Sequence, residues 1–135
     1  MGTPLEINDF VKPVTLPKQG QSTSGKCVVT GWGYINEDSE SPKILQKVEV
    51  PTISDEECRE VYGSHVILDS NLCCGYPEGG KDACREDSGG PLYCNGYLAG
   101  VVSWGHGCGR PNYPGVYTEV SYYVDWIYES IKLSF

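Results

Sequence analysis

The sequence predicts a mostly β domain, arranged as a barrel or a sandwich, with a helix at its C-terminus. Three observations predict this class. The 135 residues include 17 glycines and 9 prolines, a mix that favours many short strands joined by turns. Apolar residues make up 39% of the chain, which is a globular composition. The apolar stretches are also short, and turn-forming residues separate them.

The first part of the chain predicts two strands between loops. Residues 1–24 contain three prolines and a Gly/Ser-rich run, so they cannot sustain a helix or a central strand. Residues 26–30 predict the first strand, and a polar, acidic loop follows at 34–43. Residues 45–50 predict the second strand, which we expect to end at Pro51.

A short helix is predicted after the second strand. The Ser54 hydroxyl can accept the N–H of Glu57, and the Glu57 carboxylate can reach back to the N–H of Ser54. This capping box predicts a helix that ends near Tyr62, with Gly63 as its stop.

The second half predicts three further strands and a terminal helix. The strands are expected at 91–94, 97–104 and 115–120, after a short apolar segment at 71–75. Asn95-Gly96, between the first two, is the strongest short hairpin signal in the chain. From residue 121 to about 132, the apolar and aromatic residues recur at helical spacing.

The charge and hydropathy of the chain exclude two classes of partner. The net charge is −8, which disfavours binding to nucleic acids and to anionic membranes. No apolar run approaches the roughly 18 residues needed to span a bilayer. We therefore expect neither nucleic acid nor membrane as a partner.

The seven cysteines predict disulfides rather than a metal site. No C-x-x-C pair is present, and His65 and His106 do not lie at zinc-ligand spacing. Disulfides point to an oxidising compartment, so we expect a secreted, extracellular protein. Since residues 1–5 show no export signal, we also expect that part of the protein precedes this chain.

Residues 81–92, which read KDACREDSGGPL, carry the most chemistry. Ser88 precedes two glycines that leave space for an acyl group, and successive N–H groups there could bind a developing oxyanion. Cys84 can fix this loop covalently. A serine hydroxyl still needs a base to become a nucleophile, and an isolated Asp-Ser-Gly-Gly segment is usually only a turn.

This segment resembles the nucleophile loop of the chymotrypsin–trypsin family of serine endopeptidases, whose pattern is Gly-Asp-Ser-Gly-Gly-Pro-Leu. Five further motifs occur along the chain, and all six have the same order as in that family. The resemblance covers nearly the whole chain. They are Gly31-Trp32-Gly33, Leu72-Cys73-Cys74-Gly75-Tyr76 with Lys81-Asp82-Ala83-Cys84, Val102-Ser103-Trp104-Gly105, Pro114-Gly115-Val116-Tyr117-Thr118, and Val124-Asp125-Trp126-Ile127.

The resemblance implies an all-β fold, namely the C-terminal β-barrel of a two-barrel enzyme, with a short intermediate helix and a C-terminal helix. By it, residues 1–24 are an inter-barrel linker, residues 25–120 the barrel, and residues 121–135 the C-terminal helix. It implies no cofactor and no metal.

The same resemblance assigns the site residues. Ser88 is the nucleophile, and the N–H groups of Glu86 and Ser88 form the oxyanion hole. Asp82 lies at the base of the specificity pocket, where a carboxylate selects Arg or Lys side chains. Asp87 pairs with the amino terminus released on activation. Four further residues bind the substrate: Gly105 and Gly115 as open pocket walls, and Ser103 and Trp104 on the strand that pairs with the substrate backbone.

The resemblance also implies the disulfide pairing. Cys27 pairs with Cys94, Cys58 with Cys73, and Cys84 with Cys108. Cys74 is then left over, either as a buried, inert thiol or as a partner for another chain.

Two departures from the family pattern bear on activity. The histidine and aspartate motifs of the catalytic triad are absent, because the family carries them in its N-terminal half; Asp9, His65 and His106 do not match them. Glu86 replaces the glycine that supplies one oxyanion N–H, and losing such a donor costs roughly 3–4 kcal/mol.

Three hypotheses follow. The chain is the C-terminal half of an endopeptidase that cleaves after Arg or Lys and is inactive alone, a non-catalytic protease homologue that acts as a binding module, or a truncated product without a function of its own. The expected partners are peptide or protein substrates with Arg or Lys, together with a missing N-terminal half or protein inhibitors.

Overall fold

The six strands of the chain form one closed antiparallel barrel in the computed structural model, which describes residues 4–132. The elements are β1 (Lys26–Gly31), β2 (Gln46–Ile53), α1 (Asp55–Tyr62), β3 (Asn71–Cys74), β4 (Pro91–Cys94), β5 (Tyr97–Trp104), β6 (Gly115–Glu119), a 3-10 turn (Val120–Tyr123) and α2 (Val124–Lys132). The strand order around the barrel is β1-β2-β3-β6-β5-β4, and β4 pairs back with β1. The all-β prediction is therefore confirmed, with a barrel rather than a sandwich.

Alternating side chains of the strands fill the barrel. On β1, Cys27 and Val29 are buried, and they lie opposite Cys94 and Leu92 of β4. Tyr117 of β6 is fully buried in the same core. This period-two alternation is the pattern expected of strands with one face toward a core.

The second strand continues through Pro51, so the prediction that Pro51 ends it is wrong. β2 changes partner at this point: Pro51 lies opposite Lys26 of β1, while Thr52 already pairs with Cys74 of β3. The carbonyl of Pro51 accepts the N–H of Gly75. A proline fits here because its missing N–H falls where the strand passes from one neighbour to the other.

The intermediate helix begins as its capping box predicts. The Ser54 hydroxyl accepts the N–H of Glu57, and the Glu57 carboxylate accepts the N–H of Ser54, each at 3.2 Å. Gly63 ends the helix at a φ of 98°, in the region that favours glycine. A disulfide from Cys58 to Cys73 attaches the helix to β3.

The terminal helix differs slightly from its predicted bounds. A 3-10 turn occupies 120–123, and the α-helix begins at Val124. Residues 133–135 lie outside the described residues, as do residues 1–3 of the predicted linker. That residues 1–24 link two barrels stays a prediction. Within residues 4–132, no helix has the length and the apolar character needed to cross a membrane.

Candidate active site

Ser88 lies in an exposed turn that is held against β5. The N–H of Gly89 donates to the carbonyl of Val102, and the N–H of Val102 donates to the carbonyl of Gly90, each at 2.9 Å. Within residues 4–132, the N–H groups of Glu86 and Ser88 donate to no backbone carbonyl. Two donors close together in sequence are therefore free beside the serine hydroxyl, as an oxyanion hole requires.

Glu86 adopts the left-handed conformation for which the sequence pattern favours glycine. Its φ is 71°, a region that costs a non-glycine residue roughly 1–2 kcal/mol. The exposed Glu86 carboxylate accepts a hydrogen bond from the Ser41 hydroxyl in the acidic loop. The turn thus keeps the backbone geometry of a glycine while carrying a side chain.

A cavity of about 300 Å³ opens beside Ser88. It brings together all the predicted substrate-binding residues and the predicted nucleophile, namely Asp82, Ser88, Ser103, Trp104, Gly105 and Gly115. Residues 82–88, the end of β5 with the glycine that follows it, and the start of β6 supply these groups. Segments far apart in sequence therefore converge on one concave site.

Asp82 is a largely buried carboxylate of this cavity. It accepts the N–H of Ala83 at 2.8 Å and the N–H of Gly109 at 2.9 Å. Burial raises the pKa of Asp82 to about 6, and the two backbone hydrogen bonds oppose this shift. No salt bridge reaches Asp82 from within residues 4–132. A buried carboxylate without a cationic partner favours a cationic ligand.

The two wall glycines differ in how much space they leave. A Cβ at Gly115 would collide with the Asp82 carboxylate and press on the ring of Tyr117. A Cβ at Gly105 would lie 3.7 Å from the carbonyl oxygen of Gly107 and 3.8 Å from the Cα of Gly115, which are ordinary contacts. Gly115 is therefore required for Asp82 to stay in place, whereas position 105 has room for a small side chain.

Ser103 and Trp104 form the exposed end of β5. The register against β6 shifts between Val102 and Trp104, so Ser103 has no paired residue there. The Trp104 side chain is 39% exposed, and its ring meets that of Tyr62 edge-on at a centroid distance of 4.9 Å. Such a shift leaves backbone groups at the strand end available for a further strand.

Sequence reasoning missed the support that Tyr62 gives to the site. The Tyr62 hydroxyl donates to the carbonyl of Pro114 at 2.7 Å and accepts the N–H of His106 at 3.3 Å. Its ring also contacts Trp104. The one local signal was an aromatic residue in the last turn of a helix, which does not identify its partners.

Asp87 does not line the main cavity; together with Asp82 it lines a second one of about 200 Å³. Its carboxylate accepts the N–H of Gly33 at 2.9 Å and the N–H of Cys84 at 3.0 Å. A Cβ at Gly31 or at Gly33 would collide with this carboxylate. The glycines of the Gly-Trp-Gly motif therefore make room for Asp87.

Neither histidine contacts the nucleophile. The His106 ring packs against Tyr113 at a centroid distance of 4.7 Å, and His65 lies in an exposed turn. Within the described part of the chain, Ser88 makes no hydrogen bond to either histidine. No group of three His, Cys, Asp or Glu side chains among residues 4–132 could hold a metal ion.

The three disulfides form with the pairing that the family resemblance implies. They join Cys27 to Cys94, Cys58 to Cys73, and Cys84 to Cys108. Cys74 is a free, buried cysteine, and burial raises the pKa of its thiol far above the ordinary value. The third disulfide matters most for the site, because it joins the nucleophile turn to the far rim of the cavity.

A closed barrel with a serine turn beside a carboxylate-lined cavity is the arrangement expected of a trypsin-like serine protease. The trypsin family model matches residues 1–127, and the chain belongs to this family. Over 127 residues it is 58% identical to trypsin-1 of Astacus astacus, with 91% of this chain and 54% of that protein covered.

Two further relatives come from distant animals. The chain is 46% identical to trypsin eta of Drosophila melanogaster over 126 residues, covering 92% of this chain and 48% of that protein. It is 42% identical to trypsin of Sus scrofa over 132 residues, covering 97% of this chain and 57% of that protein. The chain spans about half the length of the curated relatives it matches.

Proposed function

We propose that this chain is the pocket-bearing half of a secreted endopeptidase that cleaves peptides and proteins after Arg or Lys. The observation that carries the proposal is the Asp82 carboxylate, which is largely buried in the cavity without a cationic partner. Gly105 and Gly115 leave the cavity open to a long side chain. An Arg or Lys side chain would supply the missing charge, whereas a neutral side chain would leave Asp82 buried and unpaired.

The catalytic role we assign to Ser88 is nucleophilic attack on the scissile carbonyl. The N–H groups of Glu86 and Ser88 would bind the oxygen as it gains negative charge. The Ser88 hydroxyl must first lose its proton to a base, and neither His65 nor His106 is in place to take it. In this proposal the chain alone is inactive, because the base is supplied by the N-terminal half of the enzyme.

Asp87 is proposed to receive the cationic amino terminus formed when the full enzyme is activated. Its carboxylate has two backbone donors but no salt-bridge partner within residues 4–132, and a cavity opens beside it. An ammonium group in that cavity would neutralise Asp87 and fix the turn that carries the oxyanion donors.

Three disulfides support the proposed secretion, since such bonds persist in oxidising compartments. Protein inhibitors that present an Arg or Lys side chain are proposed as a second class of partner, because they would meet the same cavity as substrates do.

A fluorophosphonate probe tests the catalytic proposal, because it labels an activated serine. The chain should remain unlabelled alone and should become labelled after mixing with the N-terminal half of a related trypsin. The Ser88→Ala variant is the control and should stay unlabelled in both cases. Hydrolysis of an arginine amide by the pure chain would contradict the proposal that it is inactive alone.

A non-catalytic binding role is the second candidate, and Glu86 favours it. Glu86 carries a side chain at an oxyanion position for which the family pattern has glycine, and its φ of 71° is a conformation that a side chain disfavours. This role predicts that the cavity binds an aromatic amidine such as benzamidine, while Ser88 stays unlabelled even with the N-terminal half present. Labelling of Ser88 in the mixture would exclude it.

A further inference from the structure

Glu37 extends from the acidic loop, residues 34–43, to the cavity that contains Asp82. Its carboxylate accepts the N–H of Cys108 at 3.0 Å. It also forms a two-pronged ion pair with Arg110, through Nε at 2.6 Å and Nη2 at 2.8 Å. Two parallel charge-assisted bonds define the orientation of both side chains more closely than a single contact would.

Through these contacts Glu37 holds the pocket rim, which we define as residues 107–110. The rim carries one of the two N–H groups that bind Asp82, since Gly109 donates to it at 2.9 Å. Glu37 binds the preceding N–H, that of Cys108. A Cβ at Gly107 would collide with the Glu37 carboxylate and with the Arg110 side chain, so the rim packs tightly around this pair.

The charges around the cavity give Glu37 a second effect. Arg85 lines the cavity, and Arg110 belongs to the rim, where it pairs with Glu37. Both guanidinium groups interact electrostatically with Glu37, so without it their positive charge would be uncompensated and a cationic ligand in the cavity would be repelled. The hydrogen bonds from Arg110, and then the one from Cys108, lower the pKa of Glu37 to about 2. Glu37 therefore stays ionised wherever Asp82 is ionised.

We propose that Glu37 is a positioning residue of the specificity pocket, which raises its affinity for cationic side chains by holding the rim and by neutralising Arg110 and Arg85. The inference deepens the proposed preference for Arg and Lys and rests on it. Glu37 acts through the rim that holds Asp82 and through the charge of the cavity.

Calorimetric titration of the full chain with benzamidine at pH 8 tests the proposal. Glu37→Gln keeps an acceptor for the N–H of Cys108 but removes the charge, and we expect binding to weaken about 3- to 10-fold. Asp38→Asn is the matched control, because it removes the same charge from an exposed neighbour that does not line the cavity. An unchanged affinity in Glu37→Gln, or an equal loss in Asp38→Asn, would overturn the proposal.

The double variant Glu37→Gln with Arg110→Gln examines the neutralising effect directly. Removing the unpaired guanidinium should restore benzamidine affinity to within about 2-fold of the wild-type value. If the double variant binds as weakly as Glu37→Gln, Arg110 is not the cause of the loss, and the neutralising part of the proposal is wrong.

Amide hydrogen exchange separates this inference from the proposed function. Glu37→Ala should speed exchange at the N–H groups of Cys108 and Gly109 while leaving Gly89 unchanged, because Gly89 is bonded to β5. Failure of the wild-type chain to bind benzamidine would contradict the proposed pocket. Unchanged exchange in the rim of Glu37→Ala would overturn the positioning role itself.

Discussion

Asp82 connects the stability of the chain to its proposed selectivity. The side chain is held by two backbone N–H groups, yet its charge is withdrawn from water, and this burial raises its pKa to about 6 from an ordinary value of 3.8. The same group that would attract an Arg or Lys side chain therefore destabilises the ligand-free fold once it is ionised.

The first prediction concerns this pH dependence. Because the folded chain binds the Asp82 proton more tightly than the unfolded chain does, stability should fall as the pH rises from about 4 through about 6. The difference between the pKa of about 6 in the folded chain and the ordinary value of 3.8 corresponds to a loss of about 3 kcal/mol in the free energy of unfolding. Urea denaturation at pH 4 and at pH 8 should show a smaller pH effect in Asp82→Asn. An equal pH effect in both proteins would contradict the assignment.

The second prediction concerns the left-handed conformation of Glu86. Both Glu86→Gly and Glu86→Ala lose the contact with Ser41, but only glycine adopts a φ of 71° without steric cost. We expect the glycine variant to be about 1 kcal/mol more stable than the alanine variant, measured by urea denaturation. Greater stability of the alanine variant would show that the turn does not keep this conformation.

At the scale of elements, the disulfide between Cys84 and Cys108 joins the nucleophile turn to the pocket rim. It closes a segment with a sequence separation of 24. The rim also donates the N–H of Gly109 to Asp82. Covalent attachment therefore fixes two sides of one cavity relative to each other.

The third prediction is that replacing both cysteines by alanine loosens the cavity as well as the fold. The chain-entropy relation for this loop gives a loss of about 3.5 kcal/mol. Benzamidine affinity, measured by titration, should fall along with stability. The matched control replaces Cys27 and Cys94 by alanine, since that bridge joins β1 to β4 away from the rim. If the control loses as much benzamidine affinity for each kcal/mol of stability lost, the rim disulfide has no special role.

The elements also show what the sequence could predict. The capping box at Ser54 and Glu57 and the turn at Asn95-Gly96 depend on neighbouring residues, and the structure contains both, with φ of 51° and 90° in the turn. The continuation of β2 through Pro51 depends on which strands lie beside it, so a local pattern suggested the wrong end.

In the candidate site too, features within one motif could be predicted, and contacts between distant segments could not. Ser88 and Asp82 lie in one short motif, and both line the same cavity, while their roles stay predictions. The pair of Glu37 and Arg110 spans 73 residues, and the contact of Tyr62 with Trp104 joins a helix to a strand end. Neither pair has a local signature, because each depends on how the barrel closes.

At the scale of the whole molecule, the chain exposes several large apolar side chains despite its net charge of −8. Phe10 is 97% exposed and Trp126 is 65% exposed. Trp126 also lines a cavity of about 390 Å³ whose other walls are Val101, Thr118, Val120, Tyr123 and Ile127. This surface is consistent with a chain that covers about half of its relatives' length.

The fourth prediction is that this cavity binds an apolar dye. Anilinonaphthalene sulfonate fluorescence should rise with the isolated chain and should drop in Trp126→Ser, because the indole forms part of the apolar wall. Trp32→Ser is the matched control, since Trp32 is 57% exposed beside the acidic loop and lines none of this cavity. Equal loss of fluorescence in both variants would mean that the dye binds elsewhere.

The return of β4 to β1 has a consequence for handling this protein. Within residues 4–132 each strand pairs with a neighbour on both sides, so, apart from the end of β5 beside Ser103, the barrel has no open edge along which copies could pair into fibrils. Self-association of the isolated polypeptide should then occur through exposed apolar side chains rather than through strand pairing. Mild detergent should reverse it.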